Sequence, residues 1–246
     1  MNGAQSAPQS ARQSTRQAAA PRLALFDCDG TLADSQHAIT SAMDAAFRAC
    51  GHTPPAPADV RAIIGLSVDR ALMALAPQLD ARAMDALGDC YRDTFFRHRT
   101  QAGNAPEPLF DGVADALATL VDAGWILGVA TGKSQRGLGR LLAAHGLAHH
   151  FATLQTADFH PSKPHPAMVH AALAQTGVPA RRCVVIGDTS FDMGMAVAAG
   201  AGALGVAWGY HPPATLRGAG AMAMVDHPAD IAAAAAALLG MMEDAE

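Results

Sequence analysis

Leu23-Ala24-Leu25-Phe26-Asp27-Cys28-Asp29-Gly30-Thr31-Leu32 is the stretch that decides the fold. Four apolar residues without a polar break suit a parallel strand buried on both faces. The Asp/Gly/Thr cluster that follows suits a loop opening at the strand's carboxyl end, with two carboxylates spaced by one residue.

Working outward, three further apolar runs end in polar loops: Trp125 to Ala130 before Thr131-Gly132, Phe151 to Thr156 before a Pro-rich loop, and Cys183 to Ile186 before Gly187-Asp188. Each precedes a stretch of helical spacing, over Gln135 to His145, His165 to Gln175 and Phe191 to Ala199. Such alternation predicts an α/β fold with a doubly wound, mostly parallel, Rossmann-like sheet covered on both faces. Ala203 to Ala207 and Met222 to Val225 are expected to extend the sheet, and the alanine run at 231 to 239 reads as a terminal helix.

Between Ser35 and Phe110 strand-like runs vanish. Apolar residues recur at helical spacing through Ile39, Met43, Ala46 and Phe47, then Leu72 to Leu75, then Met84 to Phe96. The reading is an all-helical cap over residues 35–109, inserted into a core made of 21–34 and 110–246, with a flexible leader over 1–20. Pro-rich Thr53 to Pro57 and Asn104 to Pro108 mark loops or hinges. An insert placed there can cover the sheet's carboxyl edge, where open α/β sheets bind ligands.

The 246 residues are half apolar and 16% charged, enough to bury a core, and the formal charge of -5 offers no basic stripe for nucleic acid or an anionic membrane. A small-molecule partner is expected, with no nucleic acid and no membrane. No window reaches the uninterrupted apolar length of a span. Cys28, Cys50, Cys90 and Cys183 show no C-x-x-C pair, which predicts reduced thiols in a cytoplasmic protein. A monomer or homodimer is expected.

A calcium loop also favours D-x-D, but one starting at Asp27 would need glycine at Leu32 and an acidic ligand at Ala38. The D-x-D-G-T run instead resembles the first motif of the haloacid dehalogenase superfamily. Ala130-Thr131-Gly132-Lys133, Ser162-Lys163-Pro164 and Gly187-Asp188-Thr189-Ser190-Phe191-Asp192 resemble the remaining motifs in order. The resemblance spans residues 22 to 210, and Lys163-Pro164-His165-Pro166 is similar to phosphoglycolate phosphatases.

That resemblance implies a Mg2+-dependent phosphatase of a small phosphorylated metabolite, with 2-phosphoglycolate the leading substrate. Asp27 would attack phosphorus, and Asp29 would protonate the leaving alkoxide and then deprotonate water. Asp188, Asp27 and the main-chain carbonyl of Asp29 would hold Mg2+, with Asp192 ordering that shell and Thr131 and Lys163 holding phosphoryl oxygens. Gly30, Gly132 and Lys133 join the substrate-binding set, as do Arg61 and Ser67 of the cap. Four carboxylates balanced only by Lys163 would repel a phosphate dianion, since two like charges at ~4 Å cost about 4 kcal/mol at an effective dielectric of ~20.

Gly128 to Ser134 nearly spells a P-loop but has three residues between its glycines where four are needed. Gly200-Ala-Gly202-Ala-Leu-Gly205 matches G-x-G-x-x-G but follows a helix and leads into a strand, the reverse of the dinucleotide context. Asp29 argues against dehalogenation, and the absence of lysine from 35–109 argues against imine-forming phosphonate cleavage. Phosphomutase, sugar or nucleotide phosphatase, and a non-catalytic binding protein stay open.

Overall fold

A computed structural model describes residues 20–244 apart from 102 and 104, so most of the leader and Asn104 of the second hinge lie outside the described residues. The sheet is formed by β1 (Leu23–Phe26), β2 (Ile126–Thr131), β3 (Phe151–Thr156), β4 (Cys183–Gly187), β5 (Gly202–Val206) and β6 (Ala223–Val225). Its strands are all parallel, in the order β3-β2-β1-β4-β5-β6. The expected doubly wound α/β class is what forms.

β1 sits at the centre because it has no polar residue to show to solvent. Phe26 is level with Val129 on one side and Ile186 on the other. The loops after β1, β2 and β4 therefore emerge side by side at one edge, where the strand order reverses and ligands of such sheets bind.

Alternation along each strand builds the two core layers. Ala24, Phe26, Leu127, Val129, Val184 and Ile186 face α5 (Val113–Asp122), α6 (Gln135–Ala144) and α10 (Ile231–Glu243). Leu23, Leu25, Cys183 and Val185 face α7 (Ala167–Thr176), α8 (Ser190–Ala198) and α9 (Pro213–Gly218).

Between β1 and α5 run α1 (Gln36–Ala49), α2 (Pro57–Ile63), α3 (Val68–Leu75) and α4 (Ala81–Gln101), which share a core of their own. Met43, Ala46 and Phe47 of α1 meet Leu72 of α3 and Leu87 and Tyr91 of α4. Proline at the first position of α2 forfeits no helical hydrogen bond there.

Element boundaries shift where local chemistry intervenes. Trp125 falls outside β2, because its N–H bonds back to Leu120 O at 3.0 Å and closes the turn after α5. The helix expected from His165 begins at Ala167, since Pro164 and Pro166 bracket His165 and Pro166 caps the helix. The thiol expectation is corrected for one pair: packing of α1 against α4 brings Cys50 and Cys90 into a disulfide, while Cys28 and Cys183 stay free and buried. Among the described residues, no helix is long and apolar enough to cross a membrane.

Candidate active site

Asp27 directly follows β1, and its backbone N–H continues the ladder to Ile186 O at 2.8 Å. The side chain is 1% exposed. Its Oδ1 lies 2.6 Å from Lys163 Nζ, and its Oδ2 has no hydrogen-bond partner among the described residues. Lys163, equally buried, also donates to Asp192 Oδ1 at 2.6 Å.

Asp188 leaves the tip of β4 and accepts from Thr31 Oγ1 at 2.9 Å and from the Tyr210 N–H at 2.8 Å. Asp192 accepts at Oδ2 from Thr189 N–H and Oγ1, completing a capping box at the start of α8. Capping and a site role coexist, because Oδ1 remains turned to Lys163. One carboxylate oxygen from each of Asp27, Asp188 and Asp192 falls within 4.8 Å of the others.

Three buried carboxylates against one ammonium is an unbalanced cluster. Burial raises the Asp27 carboxyl well above its usual range; Lys163 opposes this, and Asp192 and Asp188 reinforce it. Burial and the neighbouring Asp192 push Asp188 up to about 7. Burial disfavours the charged Lys163, but Asp192 and Asp27 outweigh it and hold the ammonium above its ordinary value. The bare oxygen of Asp27 and this excess of negative charge fit a hard divalent cation, which would restore both carboxylates to their ionised forms.

Asp29 points elsewhere. Its Oδ1 accepts from Ser35 Oγ at 2.5 Å and from Lys133 Nζ at 2.7 Å, and its carboxylate is not among those that converge on Asp27. The count of four carboxylates around a single lysine is thereby corrected: Lys133 is a second buried cation, 3.5 Å from Glu107 Oε1. Burial works against its charge, yet Asp29 and the other anions nearby keep its pKa high. Thr131, buried at the tip of β2, accepts from Lys133 N–H at 3.1 Å, and the cap of α6 is Ser134, which accepts from Gly137 N–H.

Two glycines are required here. Gly30 adopts φ 98°, and a Cβ there would run into the Asp188 carboxylate. A Cβ on Gly132 would strike the main-chain carbonyl of Leu66, part of the turn between α2 and α3 that reaches down onto the sheet edge. Gly132 thus governs how closely the helical insert seats.

The insert is tied down by the Ser67 N–H, which donates to Ser162 Oγ at 2.9 Å, and by His211 Nε2, 3.1 Å from Ala62 O. Gly132→Ala is expected to lower kcat/KM by about tenfold to a hundredfold while the protein stays folded, because an ångström of misplacement can cost that much. Steady-state kinetics beside a thermal melt checks this; unchanged kcat/KM would show that the close approach is idle.

Of the cap residues expected to meet substrate, Ser67 lines a cavity of 460 Å3 between insert and sheet, whereas Arg61 stands exposed on α2 and does not line it. Arg61 falls on the outward side of a short helix whose buried residue is Val60. Arg92 borders the cavity but is engaged with Asp69 at 2.9 Å and Asp89 at 3.0 Å, and the side chain of Arg99 lies outside the described residues.

Several contributors escaped the sequence reading. Ser35 and Thr31 orient Asp29 and Asp188. Trp208 Nε1–H donates to Thr31 O at 3.2 Å, and Tyr210 OH accepts from the Ser35 N–H at 2.8 Å, so the loop after β5 braces the loop after β1. Only the polar run Asp27 to Ser35 hinted at the first two, and nothing local pointed to the aromatics.

The family model described as haloacid dehalogenase-like hydrolase matches residues 24–206. A probable phosphatase, IndB, of Dickeya dadantii is 37% identical over 222 residues, covering 88% of this chain and 94% of that protein. A phosphoglycolate phosphatase of Xylella fastidiosa is 34% identical over 191 residues, covering 77% of this chain and 82% of that one. A hydrolase from Pseudomonas syringae, 26% identical, superposes with a TM-score of 0.75 over 85% of this chain and 95% of its own. With a sheet whose strand tips carry these carboxylates and a match over most of its length, the chain belongs to the haloacid dehalogenase-like hydrolase family and is an enzyme of its phosphatase branch.

Proposed function

We propose that the chain is a Mg2+-dependent phosphatase of a small phosphorylated metabolite, working through an aspartyl-phosphate on Asp27, with residues 35–109 acting as its cap. The observation that carries this reading is the buried Asp27, one oxygen bare, standing between Lys163 and Asp188 while Asp29 keeps a separate hydrogen-bond environment.

In the first displacement an Asp27 oxygen forms a bond to phosphorus as the bond to the leaving oxygen breaks, and Asp29 gives that oxygen its proton. In the second, water attacks the same phosphorus, Asp27 departs, and Asp29 takes the proton back. Lys163 and Thr131 hold the non-bridging oxygens throughout. Asp27, Asp188 and the main-chain carbonyl of Asp29 would hold Mg2+, with Asp192 fixing Lys163 and ordering the shell. When bound, the ion supplies the positive charge that lets a phosphate dianion approach these carboxylates.

Phosphate release is expected to fall to background in excess chelator and to return with Mg2+. Full turnover in chelator would remove the metal from the account. The compound named for the Xylella relative, 2-phosphoglycolate, is the reference substrate for that assay.

A further inference from the structure

We propose that the alcohol released by this enzyme carries a bulky apolar or aromatic group, and that the cavity between insert and sheet is its binding site. This rests on the phosphatase reading above and narrows its substrate class.

The cavity is on the leaving-group side of the chemistry. Asp29, the acid that must touch the leaving oxygen, lines it, whereas Asp27 and Lys163 do not. Beyond Asp29 the apolar part of its wall is made by Ile39, Met43, Ile63, Leu66, Tyr91 and Phe95. Lys133 Nζ lies over the Phe95 ring, 5.8 Å from its centroid, which sets an aromatic side chain in the cavity wall close to the acid, where an aromatic leaving group can pack against it.

Size disfavours a two-carbon acid. At 460 Å3 the cavity is in the range of about 300–1,000 Å3 that encloses ligands of drug size, so glycolate would leave most of it unfilled. Charged groups border the cavity too: Lys133 is held by Asp29 at 2.7 Å and Glu107 at 3.5 Å, and Arg92, Arg136 and Arg140 stand at the periphery of the apolar wall.

The test compares 2-phenylethyl phosphate, ethyl phosphate and 2-phosphoglycolate, all esters of unactivated alcohols, with the Mg2+-loaded protein. The expected kcat/KM for the phenylethyl ester exceeds the other two by about tenfold or more, and Phe95→Ala cuts the phenylethyl-to-ethyl ratio by about tenfold. The wild-type ratio decides the matter alone should the variant fail to fold. A 2-phosphoglycolate value equal to or above the phenylethyl value overturns this inference and leaves the phosphatase reading standing. A folded Phe95→Ala variant with an unchanged ratio overturns the assignment of the cavity. No phosphate from any of the three sinks the phosphatase reading and this inference with it.

Discussion

Asp27→Asn is expected to abolish phosphate release, by on the order of 10⁴-fold or more, because the amide keeps the shape of the side chain but cannot attack phosphorus. The same change should raise Tm in chelator. Burial and the neighbouring Asp192 and Asp188 hold the Asp27 carboxyl well above its ordinary range, so its ionised form works against folding at neutral pH. A neutral isostere removes that repulsion, and Lys163 keeps Asp192 as a partner. Stability and activity then move in opposite directions, as expected where a site is built at the expense of the fold. A variant that loses Tm by several degrees, or that retains ordinary turnover, contradicts the role given to Asp27.

Asp29→Asn is the second large effect. Losing a positioned general acid costs about 10²–10⁴-fold, and the loss should grow with the basicity of the leaving oxygen. An alkyl phosphate is therefore expected to suffer about tenfold more than p-nitrophenyl phosphate, whose leaving group departs without a proton. The parallel determination of kcat/KM for the two esters in wild type and variant gives the answer. Equal losses on both would mean that Asp29 acts only by holding Lys133 and Ser35 in place.

The parts of this molecule that could be read from the chain alone are those written contiguously. Leu23 to Phe26 gives β1 because a run of apolar residues has nowhere to go but the middle of a parallel sheet, and Phe151 to Thr156 gives β3 with the same limits that the sheet shows. Ile39, Met43, Ala46 and Phe47 mark one face of α1 by spacing alone, and that face is the buried one.

Pairings across long separations carried no local signal. Lys133 is 104 residues from Asp29 and Tyr210 is 175 residues from Ser35, so the ion pair and the aromatic brace come into being only when β1, β2 and β5 align. Lys133 was expected in the substrate-binding set from its place beside Gly132, but its pairing with Asp29 at 2.7 Å could not be read from that place. Arg61 shows the converse error: a charge in the right segment proved nothing about direction, because a short helix can turn any one residue to solvent.

The disulfide was hidden for a related reason. Cys50 and Cys90 lie forty residues apart without a recognisable spacing, and only the packing of α1 on α4 brings them together. Cysteine spacing reports metal fingers and redox pairs, which are local, and is silent on partners chosen by tertiary packing.

Acid-quenching the Mg2+-loaded protein during turnover, followed by peptide mass spectrometry, puts the covalent step itself on view. The peptide containing Asp27 should gain the mass of one phosphoryl group, transiently and only while substrate is being consumed. Phosphate released at full rate with that peptide unmodified, or with the group on another residue, would contradict the account.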